Sequence, residues 1–228
     1  MNTYIVMFKQ KYLALVDCDS FFVSCEQKRN TNLKGQPVCV LSNNDGCVIS
    51  RSKEAKKMGI KMGEPFFMAK KDHPKAIYIT ADHEYYKEVS NHIMSILKNF
   101  SPFVQIYSID EAFIDLTGLT RLYKRNYYKL AKHLRSKILE EVDIPVSIGV
   151  SSTKTLSKLA SDKAKNISDG IYLIGKQKIK KELRHTNIEE IWGIGRRLTK
   201  NLKRHGVLTA EELVEKTDKW LDSKIGIH

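Results

Sequence analysis

A chain of 228 residues with 42% hydrophobic and 9% aromatic content is long and apolar enough for two compact units or one core with subdomains, which excludes general disorder. It needs no disulfide framework at this length, and its four cysteines, Cys18, Cys25, Cys39 and Cys47, make no C-x-x-C pair and stand at no zinc-finger spacing from any of the seven histidines. Thirty-nine Lys and Arg against 26 Asp and Glu leave a formal charge of +13, a field that draws polyanions, either nucleic acid or an anionic membrane face.

Tyr12 to Val16 is a short apolar run that meets acid at Asp17, the pattern of a buried strand ending at a site. Asp19 or Ser20 then caps a helix through about Arg29. Thr31 to Gln36 reads as a loop, Pro37 to Leu41 as a second buried strand and Ser42 to Gly46 as a turn. Val48 to Ser50 is a strand, and Ser52 to Met58 a short helix stopped by Gly59. Over Asp82 to Phe100 the apolar residues Tyr86, Val89, Ile93, Leu97 and Phe100 recur every three or four positions, which predicts an amphipathic helix. Phe103 to Tyr107 and Glu111 to Leu116 read as two strands joined by a tight turn, followed by a helix with Tyr123, Tyr127, Leu130, Leu134 and Ile138 on one face. Val146 to Val150 is a strand, Thr153 to Lys165 a helix and Ile171 to Ile174 a last strand. This alternation predicts an α+β fold with a largely antiparallel sheet. From about Lys181 only short helices remain, around Gly193-Ile194-Gly195, so a domain boundary is expected there.

Cysteines in settings such as Val38-Cys39-Val40 read as core residues of a protein in a reducing cytoplasm. The opening Tyr4 to Phe8 run is too short for a signal sequence, and no later stretch approaches the ~20 apolar residues of a membrane span. The expectation is a soluble, cytoplasmic protein with no membrane partner.

Acids interrupt two otherwise apolar stretches, Val16-Asp17-Cys18-Asp19 and Ile109-Asp110-Glu111-Ala112-Phe113. Buried carboxylates without a counter-charge are costly, so Asp17, Asp110 and Glu111 together point to hard divalent cations, which take oxygen ligands. Asp19 alone reads as a helix N-cap. Near the C-terminus, Ile191-Trp192-Gly193-Ile194-Gly195 leads into Arg196, Arg197, Lys200, Lys203 and Arg204, with Leu198 and Leu202 on the opposite face. Glycines that let a backbone approach a phosphate, followed by a helix N-terminus and a basic face, read as a helix-hairpin-helix contact to DNA.

These segments match a known pattern. Asp17 to Glu26 resembles the first motif of the Y-family translesion DNA polymerases, and Ser108 to Phe113 is similar to their second. Leu41 to Arg51 resembles the UmuC type, the catalytic subunit of bacterial DNA polymerase V; Ile148-Gly149-Val150 with Lys154, Lys158, Leu159, Ala160, Ser161 and Lys165 matches the late palm. The resemblance implies a palm at 11–30 and 84–178, fingers at 31–83 and a partial helix-hairpin-helix thumb at 179–228, with the family's little finger absent from this sequence. It implies template-directed addition of dNTPs to a primer 3′-hydroxyl, in translesion synthesis and the DNA-damage (SOS) response. Two Mg²⁺ ions would be held by Asp17, Asp110, Glu111 and the Cys18 carbonyl. Phe22, beside Phe21, would exclude a ribose 2′-hydroxyl. Ser50, Lys56 and Lys165 would face the triphosphate, and Cys47, Ile49 and Gly63 the templating base. Relatives often carry Tyr and Arg on the fingers helix where this chain has Lys53 and Lys56, and a lysine supplies charge without the bidentate fork of arginine. Gly193, Gly195, Arg196, Arg197 and Lys200 would grip primer-template DNA. Partners implied beyond DNA and dNTP are a cleaved accessory subunit, a recombinase filament and a sliding clamp. A cyclic-nucleotide-forming enzyme and a non-catalytic DNA-binding regulator are the rival readings; the fingers-like segment weighs against the first and the complete acid set against the second.

Overall fold

Strand β1 (Leu13–Cys18) is buried along five of its six residues, as befits an apolar run with no outward polar alternation. The computed structural model describes residues 11–123 and 126–225; the Tyr4 to Phe8 run lies outside them. With β5 (Val104–Ile106), β6 (Glu111–Asp115), β7 (Val146–Ser151) and β8 (Ile171–Leu173), β1 belongs to a five-stranded sheet of order β5-β6-β1-β7-β8. A second sheet has the order β3-β2-β4, built from β2 (Val38–Leu41), β3 (Val48–Arg51) and β4 (Ile77–Thr80).

β5–β6 and β2–β3 are antiparallel, whereas β7–β8 and β2–β4 are parallel. Helix α6 (Lys154–Ala164) explains the first parallel pair, because a helical crossover returns the chain to start its next strand in the same direction.

The chain divides into two compact units. One comprises Val16–Ile114 and Lys132–Ser147. Its helices α1 (Phe21–Arg29), α2 (Lys53–Lys57), α3 (Phe66–Asp72) and α4 (His83–Phe100) alternate with strands, and most of α5 (Tyr127–Val142) belongs to it too. The Asp82 carboxylate caps α4 by accepting from the Tyr85 N–H at 3.1 Å, and the predicted stripe of Tyr86, Val89, Ile93 and Leu97 is buried. Neither α3 nor β4 was anticipated. Of α3 only Ala69 is buried, so it carries no apolar stripe to read. The small sheet has its own core of Cys39, Leu41, Val48, Ala55, Ile60, Ala69 and Ala76. Tyr123, expected on the α5 face, lies instead in a 3-10 turn before that helix.

The other unit comprises the described residues of Met1–Leu15, Asp115–Ala131 and Ile148–His228. After β8 it is all helical: α7 (Ile179–Arg184), α8 (Arg196–Arg204), α9 (Ala210–Val214) and α10 (Asp218–Ile225). Ile188, Leu202 and Val207 form its C-terminal core, with Ile194, Leu198, Leu213, Trp220 and Ile225 packed around them. Lys163 of α6 and Tyr172 of β8 both bond the carboxylate of Glu182 on α7.

In β7, Gly149 lets the backbone of α6 come unusually close. A Cβ there would stand 2.0 Å from the Ser161 nitrogen and 2.3 Å from the Ser157 carbonyl oxygen, backbone atoms that can yield only by moving the helix. Gly149→Ala is therefore expected to destabilise the protein by about 3 kcal/mol, read as a lower urea midpoint at unchanged slope.

Candidate active site

The acids come together because the end of β1 is clamped on both sides. The Cys18 N–H donates to the Asp110 carbonyl at 2.9 Å, and the Asp19 N–H donates to the Pro145 carbonyl at 2.9 Å. Asp17 and Cys18 thus stand beside Asp110 and Glu111 although the two motifs are far apart in sequence. Asp17 is 4% exposed, while Asp110 and Glu111 are half-buried.

Serines fix the second motif. The Ser108 hydroxyl donates to Asp110 Oδ1 at 2.6 Å and accepts the Asp110 N–H at 3.3 Å. From α4, Ser90 donates to the Ile109 carbonyl at 2.5 Å. The first motif is fixed in the same way. Asp19 does not cap α1; Ser20 occupies the N-cap position, with no side-chain capping bond. The Asp19 carboxylate instead accepts the buried Ser147 hydroxyl at 2.8 Å, and its carbonyl accepts from Ser24 at 2.6 Å. Ser20 adopts φ 47°, a left-handed conformation that costs a non-glycine residue energy and recurs at functional turns.

The expected donors are hard oxygens: three carboxylates and the Cys18 carbonyl. That is the chemistry of magnesium or calcium rather than zinc. Among the described residues no three His, Cys, Asp or Glu side chains are grouped closely enough to hold a metal ion by themselves. Asp17 and Cys18 lie at the end of β1, and Asp110 and Glu111 at the turn into β6. Burial first, then the charges of Asp110 and Asp17, push the Cys18 thiol well above its usual range.

The same unit carries further candidates. Phe21 is buried and Phe22 half-buried in the first turn of α1. Phe22 stacks on Tyr86 at 4.9 Å with 23° between the rings. Lys56 on α2 donates to the Ser20 hydroxyl at 2.8 Å, so its ammonium reaches the β1–α1 turn. Ser50 is 5% exposed and accepts from the Val23 N–H at 3.4 Å, which ties β3 to α1. Lys53 is exposed, Cys47 and Ile49 are half-buried, and Gly63 is exposed with open space where a Cβ would point. Sequence patterns missed the roles of Ser90 and Ser147 and the Tyr86 contact, whose partners lie far along the chain.

The remaining candidates belong to the other unit. Lys165 is an exposed C-cap of α6 whose ammonium lies 3.4 Å from the Asp162 carboxylate. Gly193 takes φ +94°, which glycine adopts freely, and Gly195 is the N-cap of α8. Gly195, Arg196, Thr199 and Lys200 line a groove with Lys203 and Arg204. Arg197 is exposed beside it, and Lys203 is held by Glu189 at 2.8 Å.

Residues 16–162 match the family model described as the impB/mucB/samB family. The chain belongs to that family. It is 40% identical over 217 residues to the UmuC protein of Salmonella typhimurium, covering 92% of this chain and 51% of that one. It is 38% identical over 197 residues to DNA polymerase IV of Saccharolobus solfataricus, covering 84% of this chain and 55% of that one. Among solved structures, the insertion ternary complex of Dbh DNA polymerase superposes with a TM-score of 0.84 at 31% identity, over 94% of this chain and 63% of that chain. This impB/mucB/samB chain therefore spans about half the length of the curated relatives it matches, and its fold is that of the Y-family polymerase catalytic region. Among its described residues no helix is long and apolar enough to cross a membrane.

Burial also raises Cys25 to about 12 and Cys39 to about 11, while Cys47 is half-exposed. Iodoacetamide at about pH 8 is expected to label Cys47 in the native protein and to spare Cys18, Cys25 and Cys39 until unfolding. Peptide mass spectrometry checks this, and native labelling of Cys18 would show that the end of β1 is not clamped as described.

Proposed function

We propose that the protein is the catalytic part of a Y-family DNA polymerase that adds dNTPs to a primer under template direction. The observation that carries this reading is the Cys18 N–H to Asp110 carbonyl bond, which sets the Asp17–Cys18 and Asp110–Glu111 pairs side by side. In the reaction the primer 3′-oxygen attacks the α-phosphorus, a P–O bond forms, the α–β anhydride breaks, and pyrophosphate and the hydroxyl proton leave. Asp17, Asp110, Glu111 and the Cys18 carbonyl would hold two Mg²⁺ ions. When bound, these supply the positive charge that activates the attacking oxygen and offsets the charge of the phosphates. Lys56, delivered to the β1–α1 turn, would add positive charge along the triphosphate. Ser50 would orient the start of α1 behind it. Phe22 would stand beneath the sugar and reject a 2′-hydroxyl.

In this reading residues 31–83 are fingers, supported by a sheet and core of their own. The open space at Gly63, with the modest side chains of Cys47 and Ile49, suits a templating site that tolerates damaged bases. Residues 179–228 are part of a thumb, with α8 holding DNA phosphates without regard to sequence. Cys18, Cys25, Cys39 and Cys47 are all unpaired, which favours a reducing, cytoplasmic location.

Primer extension with magnesium and each dNTP in turn, using the intact protein with its natural partners, tests the reading. Template-matched addition is expected, and Asp110→Asn/Glu111→Gln should lower it by about 1,000-fold. Failure of the unaltered protein to extend any primer would withdraw the polymerase assignment. Separately, Arg196→Ala/Lys200→Ala should weaken binding to all DNA sequences alike and flatten the log–log salt dependence by about two units. Fluorescence anisotropy across a salt series measures both.

A further inference from the structure

Phe22 does not rest on a soft wall. Its ring lies on that of Tyr86, which is fully buried, with His83 edge-on to Phe22 at 5.8 Å. The Tyr86 hydroxyl donates to Glu26 Oε1 at 2.8 Å. Glu26 follows Phe22 by four residues, so both project from one face of α1. One helix thereby holds a single ring of α4 twice, at its face through Phe22 and at its rim through Glu26.

Glu26 is only 5% exposed. An apolar side chain at that position would avoid the desolvation cost of a carboxylate, so stability alone gives no reason for the acid. Arg29, one turn further on, interacts electrostatically with Glu26 and is itself tied to Asp82 at 2.6 Å and stacked over Tyr85 at 3.9 Å. Burial and the bond to Glu26 push the Tyr86 phenol well above its ordinary range, so it remains a proton donor. The carboxylate is thus matched to a fixed hydroxyl rather than to solvent.

A ring that rejects a hydroxyl by contact works only if it cannot retreat, since a gap of a fraction of an ångström already removes the clash. We infer that Tyr86 and Glu26 form the back plate of the sugar gate, Tyr86 blocking the retreat of Phe22 and Glu26 preventing Tyr86 from sliding. They are positioning residues for discrimination between deoxyribose and ribose, an inference that rests on the polymerase reading and on Phe22 as the gate.

The test is the ratio of kcat/KM for a dNTP to that for the matching rNTP, measured on the intact protein. Tyr86→Phe keeps the ring and frees its rim; the ratio should fall about fivefold, the scale of one side-chain torsion released from its well. Glu26→Leu should reproduce that fall, and Glu26→Gln, which retains an acceptor oxygen, should restore the ratio. Loss of packing alone would lower both efficiencies together and leave the ratio unchanged, and that result in Tyr86→Phe and Glu26→Leu overturns the inference. Phe22→Ala separates the two levels of the argument. An unchanged ratio there removes the gate itself and the back plate with it, whereas a collapsed ratio there beside unchanged Tyr86→Phe and Glu26→Leu removes the back plate only.

Discussion

The bond between the Cys18 N–H and the Asp110 carbonyl is the constraint on which the acidic site depends. Each motif alone has an ordinary structural explanation, since acids at strand ends and turns are common. What makes them a site is adjacency, and adjacency here is backbone geometry. The strands set the separation of the four groups, leaving the side chains only to orient. A site built this way keeps its shape when a side chain is changed, because the scaffold does not depend on the acids it carries.

Around that bond the chain uses short polar side chains as fasteners. Ser108 sets Asp110, Ser90 sets the peptide before it, Ser147 sets Asp19, and Ser20 receives Lys56. Serine suits this task, for its hydroxyl both gives and accepts and brings little bulk into a packed interior. The left-handed Ser20 shows that local strain is accepted at the β1–α1 turn, where the strand must pass directly into the helix bearing Phe22.

Much of this was legible in the sequence, and the reasons differ from case to case. β1 was visible because its apolar run ends abruptly in acid, and α4 because Tyr86, Val89, Ile93 and Leu97 hold a helical period. The acids of the site were visible because charge in an apolar hairpin is anomalous. Helix α3 was not visible, since it buries only Ala69 and so has no stripe. β4 left a trace in Ile77-Tyr78-Ile79, a β-branched and aromatic run. Asp19 misled because an acid before a helix is the ordinary mark of a cap, and only the fold reveals Ser147 beside it. Tyr86 was read as one core residue among several; its bond to Glu26 spans 60 positions and leaves no local pattern.

The small sheet and the acidic site differ in when they can exist. β2 and β3 are separated by a short turn, so their pairing can begin as soon as both have left the ribosome. The partner of Cys18 arrives roughly ninety residues later, and closing so long a loop costs entropy before any contact rewards it. During synthesis the Asp17 strand must therefore remain unpaired on that side while the whole small sheet and α4 emerge. The acidic pairs cannot meet until the small sheet and α4 have emerged, and a nascent chain stalled before Asp110 would carry the residues of that sheet with no acidic site to serve.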